Sequence, residues 1–370
     1  MDLNHQRIVV KLGTSTLTGG TAYLSPPRIV DLVRQMAHLH DQGCALILVT
    51  SGAIAVGRQS LNFPQLPKDI PAKQMLAAVG QPRLMALYEQ LFGLYGLTVA
   101  QVMLTRNDLA LRTSYLNSRN TLDALIAKRV IPIVNENDTV ATEEIRVGDN
   151  DYLSGMVVTL IEADLLVLLT DQKGLFTADP RQDPGARLIT EITDADIPEE
   201  VWQSAGGSTN GLGTGGMVTK LQAADLARRS GAKVVIARGS DADILIRIAE
   251  GDEVGTLFQP AATALESRKR YILAGGRTVD ALHVDQGAVE AIKKGGSLLP
   301  VGILQVEGEF QRGDTVRVIE PSGKEIARGL TNYASIDLHK IVGKRSDRIE
   351  NILGFVYAEE VIHRNNMVLL

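Results

Sequence analysis

Short apolar runs alternate with stretches of helical periodicity as far as Phe258: Ile8 to Val10, Leu46 to Val49, Val99 to Leu104, Val130 to Val134, Leu165 to Leu169 and Val234 to Ala237. Continuous Val, Ile and Leu, with no polar alternate, is what strands show when helices cover both faces of their sheet. The pattern predicts an α/β fold, a three-layer α/β/α sandwich around a mainly parallel sheet. Polar clusters follow the C-terminal ends of four runs: Lys11 to Ser15, Thr50-Ser51-Gly52, Asn135 to Asp138, and Thr170-Asp171. In an open α/β sheet the ligand crevice lies beyond those strand ends, so the clusters are candidate ligand contacts.

After Phe258 the pattern changes through QPAATALESRKR, which reads as the start of a linker. The expected organisation is a first domain over 1–262, a linker over 263–277, a small β-rich module over 278–356 and a tail over 357–370. β-type runs in the module are Ala281 to Val284, Ile303 to Val306, Thr315 to Ile319 and Gly354 to Tyr357, spaced as in a small barrel. A chain of 370 residues exceeds what one hydrophobic core usually serves, which agrees with two domains. The net charge of -5 argues against a general nucleic-acid or membrane-surface binder and for a small partner. The one cysteine, Cys44, excludes an intrachain disulfide. With no cationic-then-apolar leader at the N-terminus, that count makes the cytoplasm the expected location. No apolar stretch is long enough for a bilayer helix, so no membrane is expected as partner.

Two lysines in glycine-rich turns carry the strongest chemical signal. Lys11, in VVKLGTSTL, stands where a strand breaks into Gly13, and Lys220 closes GLGTGGMVTK at a predicted helix start. Glycines admit close backbone approach, and free N–H groups at a helix start favour an anion. Gly211 to Lys220, with Thr214, Gly215, Gly216, Met217, Val218 and Thr219, therefore reads as a phosphate cradle, against the alternative of an ordinary surface loop. Neither segment is a Walker loop or a dinucleotide fingerprint. Two lysines on opposite sides of one phosphoryl group, assisted by backbone donors at Gly13 and Gly52, would supply the charge stabilisation that phosphoryl transfer needs.

A second constellation joins Asn135 to Asp138 with Gly148-Asp-Asn-Asp151. Asp138 could pair with a substrate ammonium, Asn150 could bond its carboxylate, and Asp151 could orient the two lysines. The competing reading is that Asp149 or Asn150 caps the helix beginning near Tyr152. Thr170 and Asp171 suit the adenine and ribose of a nucleotide. His38 and His40, two apart on a helical pattern, cannot chelate one ion from one face.

Taken together, VVKLGTS, VTSGAI, VNENDTV, VGDNDYLS, LLTDQKGLFTADPR and GTGGMVTKLQAA resemble the glutamate 5-kinase family of the amino acid kinase superfamily, and about Thr278 to Val356 is similar to its appended PUA domain. The resemblance implies ATP-dependent phosphorylation of the side-chain carboxylate of L-glutamate, the first step toward proline, with magnesium (Mg2+) bridging the nucleotide phosphates and no protein ligand for it assigned. It implies ATP contacts from Lys11, Thr170, Asp171 and Thr214 to Lys220, glutamate contacts from Ser51, Gly52, Asp138 and Asn150, and transition-state stabilisation by Lys11 and Lys220. Proline as feedback inhibitor and a homo-oligomer, dimer or tetramer, follow from the same likeness. RNA binding by the PUA module is the rival reading from another class. Between Gly276 and Val356 the chain has eleven Lys/Arg and eleven Asp/Glu, 11 - 11 = 0, which disfavours it, with Lys344, Arg345 and Arg348 as the local patch that keeps it open.

Overall fold

A computed structural model describes residues 6–67, 69–141, 149–205, 216–263, 266, 272 and 279–370. The chain divides into two compact units, residues 1–109 with 118–264 and residues 110–117 with 265–370.

The central strands of the first unit are β1 (Arg7–Leu12), β2 (Ala45–Thr50), β3 (Val99–Leu104), β4 (Ile131–Glu136), β5 (Leu165–Thr170) and β9 (Lys233–Arg238), all parallel to one another where they pair. Each of the six apolar runs is one of these strands, which bears out the parallel sandwich. The departure is at the edge, where β10 (Thr256–Phe258) runs antiparallel to β9 and pairs with the two-residue β8 (Glu191–Ile192). The eight strands form one sheet in the order β3-β4-β2-β1-β5-β9-β10-β8. A separate hairpin joins β6 (Leu175–Phe176) and β7 (Leu188–Ile189). Such two- and three-residue pairings leave no periodicity to read in a sequence.

Helices α2 (Pro26–Asp41), α4 (Ile70–Gly93) and α10 (Ile244–Glu250) share one core with the inward residues Ile8, Val10, Leu12, Leu46, Leu48, Ile133 and Val167. Helices α7 (Asp149–Ile161) and α9 (Met217–Arg229) pack on strands of the same sheet. Because side chains alternate along a strand, the assignment of Ile8, Val10 and Leu12 to the first face sends Val9 and Lys11 to the other. Among the described residues before 264 the other helices are α1 (Thr14–Thr18), α3 (Ala53–Ser60), α5 (Arg106–Ala110), α6 (Arg112–Ala127) and α8 (Glu199–Ala205). No described helix is long and apolar enough to cross a membrane.

The second unit holds β11 (Ala281–Val284), β12 (Ile303–Glu307), β13 (Thr315–Ile319), β14 (Glu325–Leu330) and β15 (Met367–Leu369), joined as a five-stranded sheet in the order β12-β11-β13-β14-β15. Helices α11 (Gln286–Lys293), α12 (Ser335–Ile341) and α13 (Ile349–Leu353) accompany it, and Leu282, Val316, Tyr333, Leu338 and Ile362 lie in its core. Residues read from the sequence as a tail thus include β15, which pairs with β14. The expected run Gly354 to Tyr357 is not a strand. Its backbone is claimed elsewhere: the N–H groups of Tyr357 and Ala358 both donate to the Tyr333 hydroxyl, and the Tyr357 ring lies under the Arg312 guanidinium at 3.9 Å. Most of the expected linker falls outside the described residues.

Candidate active site

Lys11, Asp151 and Lys220 meet inside the first unit. Asp151 is fully buried and bridges both lysines, its Oδ1 2.6 Å from Lys11 Nζ and its Oδ2 3.1 Å from Lys220 Nζ. The Thr219 hydroxyl donates to the same Oδ2 at 2.7 Å. Each partner arrives for a local reason. Lys11 points to the α7 side of the sheet by strand alternation, and a Cβ at Gly13 would stand 3.3 Å from its ammonium, so the glycine leaves that end open. Asp151 lies in the first turn of α7, where the helix dipole favours a carboxylate. Lys220 lies in the first turn of α9, after Gly216 as N-cap.

Helices α7 and α9 come close enough because of Gly155. A Cβ there would be 2.9 Å from the Ala223 carbonyl oxygen and 3.3 Å from Ala223 Cα. Asp151, Gly155 and Thr159 recur every four residues and so form one stripe on α7. The stripe meets Lys220, Ala223 and Ser230, with Thr159 Oγ1 and Ser230 Oγ 2.7 Å apart.

Two ammonium groups and one carboxylate leave the cluster with one net positive charge. Burial by itself would raise the Asp151 pKa, but the charges of Lys11 and Lys220 and hydrogen bonds from Lys11 and Thr219 outweigh it and hold the carboxyl well below the usual range. Burial lowers the Lys11 pKa from its ordinary value, opposed by Asp151 and reinforced by Lys220. Such a site is arranged to receive an anion, since electrostatic attraction is strong where water is excluded.

Next to the cluster lies a line of amides. Asn150 Nδ2 donates to Ser51 Oγ and to Asn135 Oδ1, each at 3.0 Å. The Glu136 N–H donates to Asn135 Oδ1 at 2.9 Å and to Asn150 Oδ1 at 3.2 Å. Asn135 Nδ2 donates to Gln81 Oε1 at 2.8 Å. Asn150 therefore makes tertiary bonds, while α7 begins at Asp149. Gly52 has φ of +107°, a left-handed conformation that glycine adopts without strain, and it starts α3 directly after Ser51. Asp138 lies two residues past β4, and burial pushes its carboxyl up to about 6.

Thr170 ends β5 beside β1, its hydroxyl donating to Asp171 Oδ1 at 3.0 Å. Gly216, Met217 and Val218 open α9 half-buried. Thr214 and Gly215 lie outside the described residues. Sequence reasoning passed over Gln81 and the glycines 57, 80 and 155, because a Gly-Gln-Pro triplet inside a helical pattern gives no sign of what it will touch.

Residues 6–238 match the amino acid kinase family and residues 280–353 the PUA domain. The chain belongs to the amino acid kinase family, and it is an enzyme of the kinase class. Its relatives refine that class. It is 52% identical over 370 residues to the glutamate 5-kinase of Shewanella halifaxensis, covering 100% of this chain and 99% of that one. It is 54% identical over 366 residues to the glutamate 5-kinase of Photobacterium profundum, covering 99% and 96%. Among solved structures the UMP kinase from Bacillus anthracis is similar with a TM-score of 0.47 and 15% identity, covering 70% of this chain and 98% of that one.

Proposed function

We propose that this enzyme transfers the γ-phosphoryl group of ATP to the side-chain carboxylate of L-glutamate, giving L-glutamyl 5-phosphate and ADP. The single observation that carries the reading is the buried Lys11–Asp151–Lys220 cluster, with its net positive charge and its two ammonium groups bridged by one carboxylate. A carboxylate oxygen of glutamate bonds to the γ-phosphorus as the bond to the β-γ bridging oxygen breaks. A carboxyl group with a pKa of roughly 4.3 is already ionised at neutral pH, so no general base is needed and no proton moves. Lys11 and Lys220 stabilise the equatorial oxygens, and Asp151 keeps both ammonium groups in place. Thr170, Asp171 and the α9 start from Gly216 to Lys220 serve the nucleotide.

Magnesium would enter with ATP. Its phosphate oxygens and water would supply most of the ion's ligands, as is usual for magnesium with a nucleotide. Ser51, Gly52 and Asn150 take the glutamate carboxylate and Asp138 its ammonium. Proline carries the same two charged groups, which supports inhibition at or overlapping this site.

Asp138 gives the reading a pH signature. Its carboxyl titrates near 6, and only the ionised form pairs with an ammonium, so affinity for glutamate is present above that pH and is lost as pH falls through it. One unit below the pKa about a tenth of the groups are ionised, and kcat/KM for glutamate drops about tenfold between neutral pH and about pH 5. Asp138→Asn raises the glutamate KM, leaves the ATP KM nearly as it was, and abolishes this limb of the profile. An unchanged glutamate KM removes Asp138 from the site.

The reaction itself is tested by hydroxylamine trapping with MgATP and a panel of L-glutamate, N-acetyl-L-glutamate, L-aspartate and UMP, following hydroxamate and ADP. γ-Glutamyl hydroxamate and ADP with glutamate, suppressed by added proline, is the expected result. Turnover only with another acceptor overturns the substrate.

A further inference from the structure

The amide line beside the lysine cluster is oriented from one end. A backbone N–H can only donate, so the Glu136 N–H fixes Asn135 Oδ1 and Asn150 Oδ1 as acceptors. Asn150 must then present Nδ2 to Asn135 Oδ1 and Ser51 Oγ, and Asn135 must present Nδ2 to Gln81. Gln81 answers with Oε1, and turning its amide over would set two NH2 groups face to face. The order of donors is therefore settled by the network, from Glu136 out to α4.

Gln81 is 7% exposed, and its buried Nε2 has no hydrogen-bond partner among the described residues. A residue chosen only for packing would avoid that cost, since an apolar side chain of the same length fills the space with no unsatisfied donor. The neighbouring Gly80 brings α4 into backbone contact with α3, and Pro82 follows inside the helix.

We propose that Gln81 is a positioning residue of the acceptor site. It accepts from Asn135 Nδ2 and so steadies the Asn135 amide whose direction the Glu136 N–H sets; Asn135 Oδ1 in turn holds Asn150 against Ser51, whose hydroxyl hydrogen stays available to the acceptor's carboxylate. The proposal rests on the reading of Ser51 and Asn150 as acceptor contacts and adds to it a residue that touches no substrate.

Gln81→Met, nearly isosteric, deletes the acceptor oxygen. It raises the glutamate KM about tenfold or more and shifts the ATP KM less than about threefold. A double-mutant cycle with Asn150→Ala separates positioning from packing: with Asn150 already lost, Gln81→Met adds less than about twofold to the glutamate KM. A full repeat of its effect in that background overturns the proposal, as does a glutamate KM that does not move in the single variant. If the Met variant melts below assay temperature, Gln81→Ala carries the same cycle. Should the wild-type enzyme turn over a different acceptor of the panel, the glutamate reading fails, and the cycle run on that acceptor's KM still decides the role of Gln81. No turnover with any acceptor overturns both.

Discussion

Lys220→Ala lowers kcat by about 100-fold or more, equivalent to about 2.7 kcal/mol of lost transition-state stabilisation, while the protein stays folded. Removing this ammonium takes the cluster from one net positive charge to none, as the phosphoryl oxygens most need a cation. The fold survives because Asp151 is not left alone in the interior. It keeps Lys11 at 2.6 Å and the Thr219 hydroxyl at 2.7 Å. Steady-state kinetics beside a thermal melt check both halves of this expectation. A kcat near wild type removes Lys220 from the chemistry, and a collapsed melt assigns it to stability instead. Asp151→Asn should differ in kind, because it sets two buried ammonium groups against each other with no carboxylate between them.

Gly80→Ala is expected to be the most damaging single methyl at the described glycines of the first unit. A Cβ at Gly80 would stand 1.8 Å from the Ala53 carbonyl oxygen and 2.5 Å from the Gly57 amide nitrogen. One at Gly57 would meet the Leu76 carbonyl oxygen at 1.9 Å. These are backbone atoms of two helices in mutual contact, so no side chain can swing away, and α3 and α4 must separate. Overpacking that forces backbone shifts costs about 1–3 kcal/mol, and with both faces rigid the upper end applies. For a domain of this size that lowers Tm by about 6–12 °C. The effect also reaches the site, since α3 begins directly after Ser51 and Gly52 and α4 carries Gln81. Differential scanning calorimetry with the glutamate KM is the measurement, and a melt within about 2 °C of wild type would show that the helices give way freely.

Much of this architecture was legible because it is written in local patterns. Apolar runs marked all six central strands, since a strand covered on both faces must be apolar throughout. The glycine beside Lys11 marked a place with room at the ammonium, where a Cβ would stand 3.3 Å from Nζ. Gly354 to Tyr357 misled because β-type residues there follow tertiary demands: Tyr333 takes the amide hydrogens and Arg312 takes the ring.

The sequence by itself determined the sandwich, the strand ends where polar residues gather, and which residue types could hold phosphate, ammonium and carboxylate. Only the tertiary structure decided that Asp151 stands between two lysines about two hundred residues apart, that Gly155 lets α7 and α9 close enough for it, and that Gln81 ends the amide line. The difference is one of range. Periodicity and turn chemistry are fixed by neighbours along the chain. Which charges and amides meet depends on helix contacts whose closeness is set by single missing Cβ atoms, and on hydrogen-bond directions that propagate from one backbone N–H across several elements.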